Sequence, residues 1–510
     1  MTLNRSFAAC SVALLLGLLP QGLSVALAQS PIDQLPRLGD PSGEELSPQA
    51  ERQLGEAIMR QIRRDPAFLD DAEANDFLVT FTEVLLATPA AAGQRFQFFL
   101  IDDGSINAFA LPGGFIGVHS GLIAAAQSES ELASVLAHEI AHVTQRHVVR
   151  MLAQQRRASI ISMATMALTL LAARSNPQAA MGGMMLGDHV LRSSTLSFSR
   201  DAEREADRLG LEMLRQAGFE PQGMSVFFNR LQVATRVYET QAPAWLRTHP
   251  LTTDRIADID LRLQDMPRRS RADSLEFRLM QARLRATLDS SGAGRQMARE
   301  RAELAVRESS SAKVEDWFGL ASIAAAEGDT TRMSQALARA RGALGADHPW
   351  FARLEAAARL DAGDAKAALD LTRDALRRFP GQRALVRVQA QALLALREAV
   401  PAVAVLQEAT RQWPQDDALW LMLSKAHEIE GLRARAHRAA AERFVILGAY
   451  MAAVDQLRRA QREHDPDFYM ASIIDARMRE LEPAARRELE ESRQSGRDRM
   501  PFAVSPAGGD

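Results

Sequence analysis

In the second half of this 510-residue chain, particular residue types return every 34 positions. Gly363, Arg397 and Gly431 keep that interval, as do Ala368, Ala402 and Ala436, and Pro380 and Pro414. Ala375 and Ala409 occupy matching slots between them, and Gly328 precedes Gly363 by 35 residues. Small residues at fixed slots let antiparallel helices approach closely, and a 34-residue period is that of tetratricopeptide repeats. The region 275–482 is therefore expected to be an α-solenoid. Before Trp317 and after Gly431 the pattern drifts, as capping repeats do. Residues 483–510 lack an apolar face and are expected to form a disordered tail. Because solenoid repeats contact mainly their neighbours, deletion from about 275 onward is expected to leave a folded front domain.

The front of the chain must hold something else, since 510 residues exceed one core. A formal net charge of −3 gives no electrostatic case for nucleic acid as a partner. Residues 1–28 combine Arg5, an apolar run and Ala26-Leu27-Ala28, the anatomy of a secretory signal peptide cleaved after Ala28. The lone cysteine, Cys10, falls within that leader, so the mature chain has no structural disulfide. Export without disulfides fits a bacterial periplasm. Residues 29–45, rich in Pro, Gly and acidic side chains, read as an exposed linker.

From 46 to 265 the patterns are mixed, giving an α+β domain within a mainly α chain. "RFQFFLIDD" is strand-like, and "NAFALPGGFIGVHSGLI" reads as strand, Pro-Gly-Gly turn and strand. The segment "SVLAHEIAHVTQRH" then places three histidines and a glutamate on a mostly apolar, buried helix. Such groups are costly to bury unless something satisfies them. His138 and His142 stand four residues apart on one helix face, so both imidazoles can ligate one tetrahedral zinc. Glu139 beside them can take a proton from a water on the metal. His147 faces elsewhere and reads as a surface histidine or a support behind the ligands.

A further ligand should come from another element, and "FSRDAEREADRLGLEMLRQAGFEP" offers carboxylates on a helix capped by Ser199 and stopped at Gly218. Glu203 and Asp207 share a face, while Glu205 points away. The spacing lets Glu203 reach the metal and Asp207 support a ligand or the reacting group from the next turn.

These segments, with "RTHPLTTDRIADI", resemble the gluzincin metallopeptidases that include HtpX and the CAAX prenyl proteases. In that family the E-x-x-x-D pattern supplies the third zinc ligand and an acidic catalytic partner, which land on Glu203 and Asp207. The metal set implied is His138, His142 and Glu203, one zinc per chain, with Glu139 and Asp207 catalytic. Asn107, Ala108 and Phe109 would form the edge strand that pairs with extended substrate backbone. His249, in the His-Pro pair, admits three readings: a latent fourth ligand, a transition-state stabiliser, or a structural residue.

With a leader ahead and repeats behind, the chain resembles exported members of the family that serve outer-membrane protein assembly. The resemblance implies a periplasmic zinc endopeptidase with a chaperone-like role, acting on protein or peptide substrates, whose repeats bind the assembly machinery. The competing class is a periplasmic chaperone or adaptor with a structural or shut zinc site. Glu139 favours catalysis, because a purely structural site needs no base beside its ligands. The uncharged run 158–173 is short for a spanning helix and reads first as a lid, then as a buried helix, and last as a membrane contact.

Overall fold

The structure, a computed structural model, describes residues 46–154, 198–237, 243–308, 312–463 and 467–494. The expected leader, the linker and the run 158–173 lie outside the described residues. Helices α1 (Pro48–Ile62) and α2 (Ala72–Leu86) lead into strands β1 (Gln97–Ile101), β2 (Ala108–Leu111) and β3 (Phe115–His119). Then come α3 (Ser120–Ala125), α4 (Glu129–Thr144), α5 (His147–Gln154), α6 (Arg200–Ala217), α7 (Gln222–Val237), α8 (Ala244–Thr248) and α9 (Thr253–Gln264). Among the described residues the remainder is helical: α10 (Leu275–Thr287), α11 (Gly292–Glu308), α12 (Val314–Ala326), α13 (Thr330–Leu344), α14 (Pro349–Asp361), α15 (Ala365–Arg378) and α16 (Arg383–Ala395). It closes with α17 (Ala399–Gln412), α18 (Asp417–Glu430), α19 (Arg433–Ile446), α20 (Tyr450–Arg462) and α21 (Phe468–Gln494). A mainly α chain with one small sheet and a helical solenoid is what the residue patterns led one to expect.

The sheet runs in the order β1-β3-β2, with β3 parallel to β1 and antiparallel to β2. All of β3 is buried, as befits a central strand, and β2 is left at the edge. The turn joining β2 to β3 depends on glycine. Gly113 and Gly114 have φ of 78° and 84°, and a Cβ on Gly114 would stand 1.9 Å from the Arg95 carbonyl oxygen.

The 34-residue slot has a second meaning in three dimensions. Gly328, Gly363, Arg397 and Gly431 each sit at the turn between paired helices, with φ of 75°, 85°, 57° and 79°. The slot therefore demands the left-handed conformation that ends a helix, which glycine adopts freely and Arg397 adopts at a cost of about 1 kcal/mol. The alanine slots follow the packing logic. Ala368, Ala402 and Ala436 are buried on α15, α17 and α19.

Two expectations need correction. The tail placed at 483–510 is helical as far as Gln494. Ile474, Met478, Leu481 and Ala485 form a sparse stripe that packs against α20, and Glu488 accepts the backbone N–H of Met451 at 2.8 Å. Of these only Ala485 lies beyond 482, too little for 483–494 to register as a face; the segment continues a helix anchored earlier. The domain boundary also moves. Phe277, Leu279, Met280 and Leu284 of α10 lie in the same core as Leu78, Leu122 and Leu136. Gln281 donates to the carbonyls of Ile123 and Ala126 (2.8 and 2.5 Å), and Arg285 to that of Ala124 (2.8 Å), closing the open C-terminal end of α3. A cut at 275 would strip this helix from the front core. The change in composition marks where repeats begin, not where packing changes partner.

Ion pairs extend the joint. Glu73 on α2 accepts from Arg283 of α10 at 2.5 Å and from Arg353 of α14 at 2.8 Å, and its side chain is only 1% exposed. Asp71 accepts from Arg283 at 2.6 Å. Truncating Glu73 leaves two guanidinium groups without their shared carboxylate. Glu73→Ala is expected to cost about 3 kcal/mol in denaturant unfolding, because breaking a buried pair from one side strands the partner. The same cluster sets an acid limit. Burial alone would raise Asp71, but Arg283 and Arg353 outweigh it and hold the carboxyl down at about 2. A depressed carboxyl stabilises the fold above its ordinary titration range and loses that contribution as pH falls towards 2. Asp71→Asn should flatten the acid side of the stability profile, read by thermal unfolding across pH.

Candidate metal centre

The site is built on α4, where every residue from Glu129 to Val143 is buried. Ser128 caps the helix, its hydroxyl accepting the N–H of Glu131 at 3.2 Å. His138, Glu139 and His142 are wholly inaccessible to solvent. Helix α6 packs across α4, capped by Ser199 and ended by Gly218 at φ 77°, and delivers Glu203 and Asp207 to the same interior. His249, the residue that ends α8, completes the group.

The ring nitrogens and carboxylate oxygens of His138, His142, Glu203 and His249 converge. Nε2 of His138 lies 2.9 Å from Nε2 of His142 and 3.3 Å from Nδ1 of His249. Glu203 Oε1 lies 3.0 Å from the latter and 3.4 Å from His142 Nε2. A tetrahedron of zinc ligands at 2.0–2.1 Å has edges of roughly 3.3 Å, and the four separations given lie near that value, with all the ligand atoms within 4.8 Å of one another. The electrostatics agree. Burial, only partly opposed by Glu203, pulls His142 well below its ordinary value and keeps its lone pair free. Burial also acts against charge on His138, but Asp207 and Glu203 outweigh it and raise that imidazole to about 9. Burial would raise the Glu203 carboxyl, yet His249, His138 and His142 hold it well below the carboxylate range. A cavity with these preferences favours positive charge at its centre. The donor set fits a divalent metal.

Around the four lie residues that fix them. Asp207 Oδ1 stands 3.0 Å from His138 Nδ1, on the side of the ring away from the cluster. Arg255 of α9 grips both oxygens of Asp207 (2.7 and 2.8 Å) and reaches Glu203 Oε2 at 2.6 Å. That contact leaves Oε1 of Glu203 to face the centre. Glu139 accepts the indole N–H of Trp245 on Oε1 at 3.0 Å, while its buried Oε2 has no hydrogen-bond partner among the described residues. Phe198 stacks on His142 (centroids 3.9 Å apart) and closes the cluster from one side.

Sequence patterns singled out the four convergent residues but gave no role to Arg255, Trp245 or Phe198. Arg255 lay within the quoted "TTDRI" with no role attached, and nothing local ties it to α6. His147 is buried behind His142, their Nδ1 atoms 2.9 Å apart, in the supporting place that was one of its two readings, and Glu205, read as pointing away, reaches it at 3.0 Å. Asn107, at the start of the edge strand, is buried with its amide against His119 Nε2 at 3.2 Å. The neighbouring Ile106 carbonyl accepts the backbone N–H of Trp245 at 3.3 Å, which ties the strand to the helix that holds Glu139.

Residues 76–263 match the family model described as Peptidase family M48. Over 453 residues, 88% of this chain and 92% of the relative, it is 29% identical to the beta-barrel assembly-enhancing protease of Yersinia pestis. It is 39% identical over 259 residues to the putative beta-barrel assembly-enhancing protease of Vibrio cholerae, a match spanning about half of each chain (51% and 53%). A mitochondrial metalloendopeptidase, OMA1 of Schizosaccharomyces pombe, is 32% identical over 176 residues, 34% of this chain and 49% of that one.

Proposed function

We propose that this protein is a zinc-dependent endopeptidase of the bacterial periplasm, acting on proteins during outer-membrane assembly. The observation that carries the reading is the convergence of His138, His142, Glu203 and His249 beside a glutamate with one buried oxygen unpartnered. Zinc bound by His138, His142 and Glu203 would polarise a peptide carbonyl and make water acidic enough for a carboxylate to deprotonate. Glu139 then takes the proton of the attacking water at Oε2, while Trp245 holds Oε1 and so fixes the direction of the free oxygen. Asp207 and Arg255 keep His138 and Glu203 in register. The edge strand at Asn107, Ala108 and Phe109 would pair with the backbone of an extended substrate. The leader 1–28 and the similarity to assembly-enhancing proteases support the compartment and the substrate class. Tetratricopeptide repeats over the solenoid would recruit cargo or the assembly machinery.

His249 supports a resting state that is shut. Its Nδ1 joins the convergent group and its Nε2 lies 3.4 Å from Glu139 Oε1, so with zinc held by His138, His142 and Glu203 this imidazole would serve as a fourth ligand beside the base. A four-ligand closed tetrahedron behaves as a structural site.

Metal removal tests the proposal. Chelation should abolish cleavage of an unfolded outer-membrane protein by the purified mature chain, and one equivalent of zinc should restore it. Cleavage that persists through chelation, in protein shown to be metal-free, would overturn it.

A further inference from the structure

Two of the three acidic residues in "EREAD" have a place in the centre described so far. Glu203 faces the ligand atoms and Asp207 backs His138. Glu205 projects from the other side of α6, its side chain 45% exposed, yet its Oε2 lies 3.0 Å from His147 Nε2. His147 Nδ1 in turn lies 2.9 Å from His142 Nδ1. The protons along this line follow from one requirement. His142 presents Nε2 to the centre as a lone pair, so its Nδ1 carries the hydrogen and donates to His147 Nδ1. His147 must then be protonated at Nε2, where it donates to Glu205. Every donor meets an acceptor.

The backbone is bent to make this contact. A straight continuation of α4 would carry a residue five positions after His142 to another face. Instead Arg146 takes φ of 52°, a left-handed conformation uncommon for arginine, and α5 starts at His147. The turn is held from outside the helix. Arg146 donates to Glu51 Oε2 at 3.2 Å and to the Leu46 carbonyl at 2.8 Å. Glu51 Oε1 accepts the N–H of Gly113 in the β2–β3 turn at 3.0 Å. Arg150 of α5 donates to the same Glu205 oxygen at 3.1 Å. Strained backbone fixed by several independent bonds is a mark of functional geometry.

We infer that His147 and Glu205 are positioning residues for the metal ligand His142, forming a histidine-mediated counterpart to the direct support Asp207 gives His138. One helix thus supplies a ligand and the outer anchor for each of two others. The inference rests on the ligand set proposed above, and its effect lies in how tightly and in what orientation the metal is held.

The test uses the mature full chain and measures zinc affinity by competition with a chromogenic chelator, together with the absorption spectrum of the cobalt-substituted protein. His147→Ala should weaken zinc binding by about ten- to a hundredfold, the usual scale for loss of an outer anchor. His147→Asn, whose side-chain oxygen can accept from His142 Nδ1, should recover most of the affinity and the wild-type cobalt spectrum. Glu205→Ala should show a smaller weakening of the same kind. A folded His147→Ala variant with wild-type zinc affinity overturns the inference, as does equal loss in the Ala and Asn variants. If His147→Ala does not fold, the half-exposed Glu205→Ala decides, and unchanged affinity there sinks the proposed line. Glu203→Ala serves as the separate control: if that variant keeps its metal, the ligand assignment itself fails.

Discussion

Glu139→Gln should leave one zinc per chain and lower proteolysis about a thousandfold, the range in which a general base contributes. The residue is not among the four convergent groups, so metal content is the internal control. Glutamine can keep the bond from Trp245 on its carbonyl oxygen, which then aims the amide NH2 along the direction now held by the free Oε2. Shape and contacts are preserved, and the one property lost is the ability to accept a proton. The comparison belongs in both the wild-type and His249→Ala backgrounds, so that a closed resting state does not mask the effect. A loss of less than tenfold in the open background would place the base elsewhere, whereas no cleavage by the wild type or the open variant would revive the reading of this chain as a chaperone or adaptor.

His249→Ala should retain zinc and cleave protein substrates about tenfold faster, with visible self-degradation. The imidazole stands between the ligands and the base, 3.0 Å from Glu203 Oε1 by one nitrogen and 3.4 Å from Glu139 Oε1 by the other. Its removal would vacate a fourth ligand place beside Glu139. The three remaining ligands suffice for a catalytic zinc site. Motion of the loop carrying His249 would be the physiological route to the same state, a gating step of the kind that often limits turnover. The ring stacks on Trp245 at 4.8 Å, so its departure also alters the group that orients Glu139. The opposite outcome is equally definite. If His249 stabilises the transition state, the rate should fall by about a hundredfold.

The divide between what the residues disclosed and what they concealed follows the range of the interaction. His138, Glu139 and His142 were legible because their relation is a property of one helix, as was that of Glu203 to Asp207. Arg255 was not, since its hold on Asp207 spans 48 residues and depends on how α9 crosses α6. His147 was half legible: periodicity alone puts it on another face, and the left-handed Arg146 returns it to the supporting place that was one of its two readings. In the solenoid the period was visible, but its glycine slot had been read as packing when it encodes a turn. Arg397, the exception to the residue type, has the same positive φ as the glycines. The expected break at 275 was illegible for another reason. Composition registers the onset of repeats, whereas Phe277 and Met280 are buried against elements more than a hundred residues earlier.

That shared core changes what the repeats do for the peptidase. A binding module on a loose linker raises the local concentration of its cargo and lets the cutting site sample a whole sphere of positions. Here α10 is part of the peptidase interior, and Arg353, Arg383 and Arg387 of the solenoid meet Glu73, Asp76 and Asp70 beside or on α2. The solenoid shares a core and ion pairs with the front domain. Under the proposed function, a polypeptide bound along it would be presented like stock in a jig, with the position of the cut measured from the grip. Cleavage would then select distance along the chain as much as sequence, and a cargo whose flexible segment falls short of that distance would be held and spared.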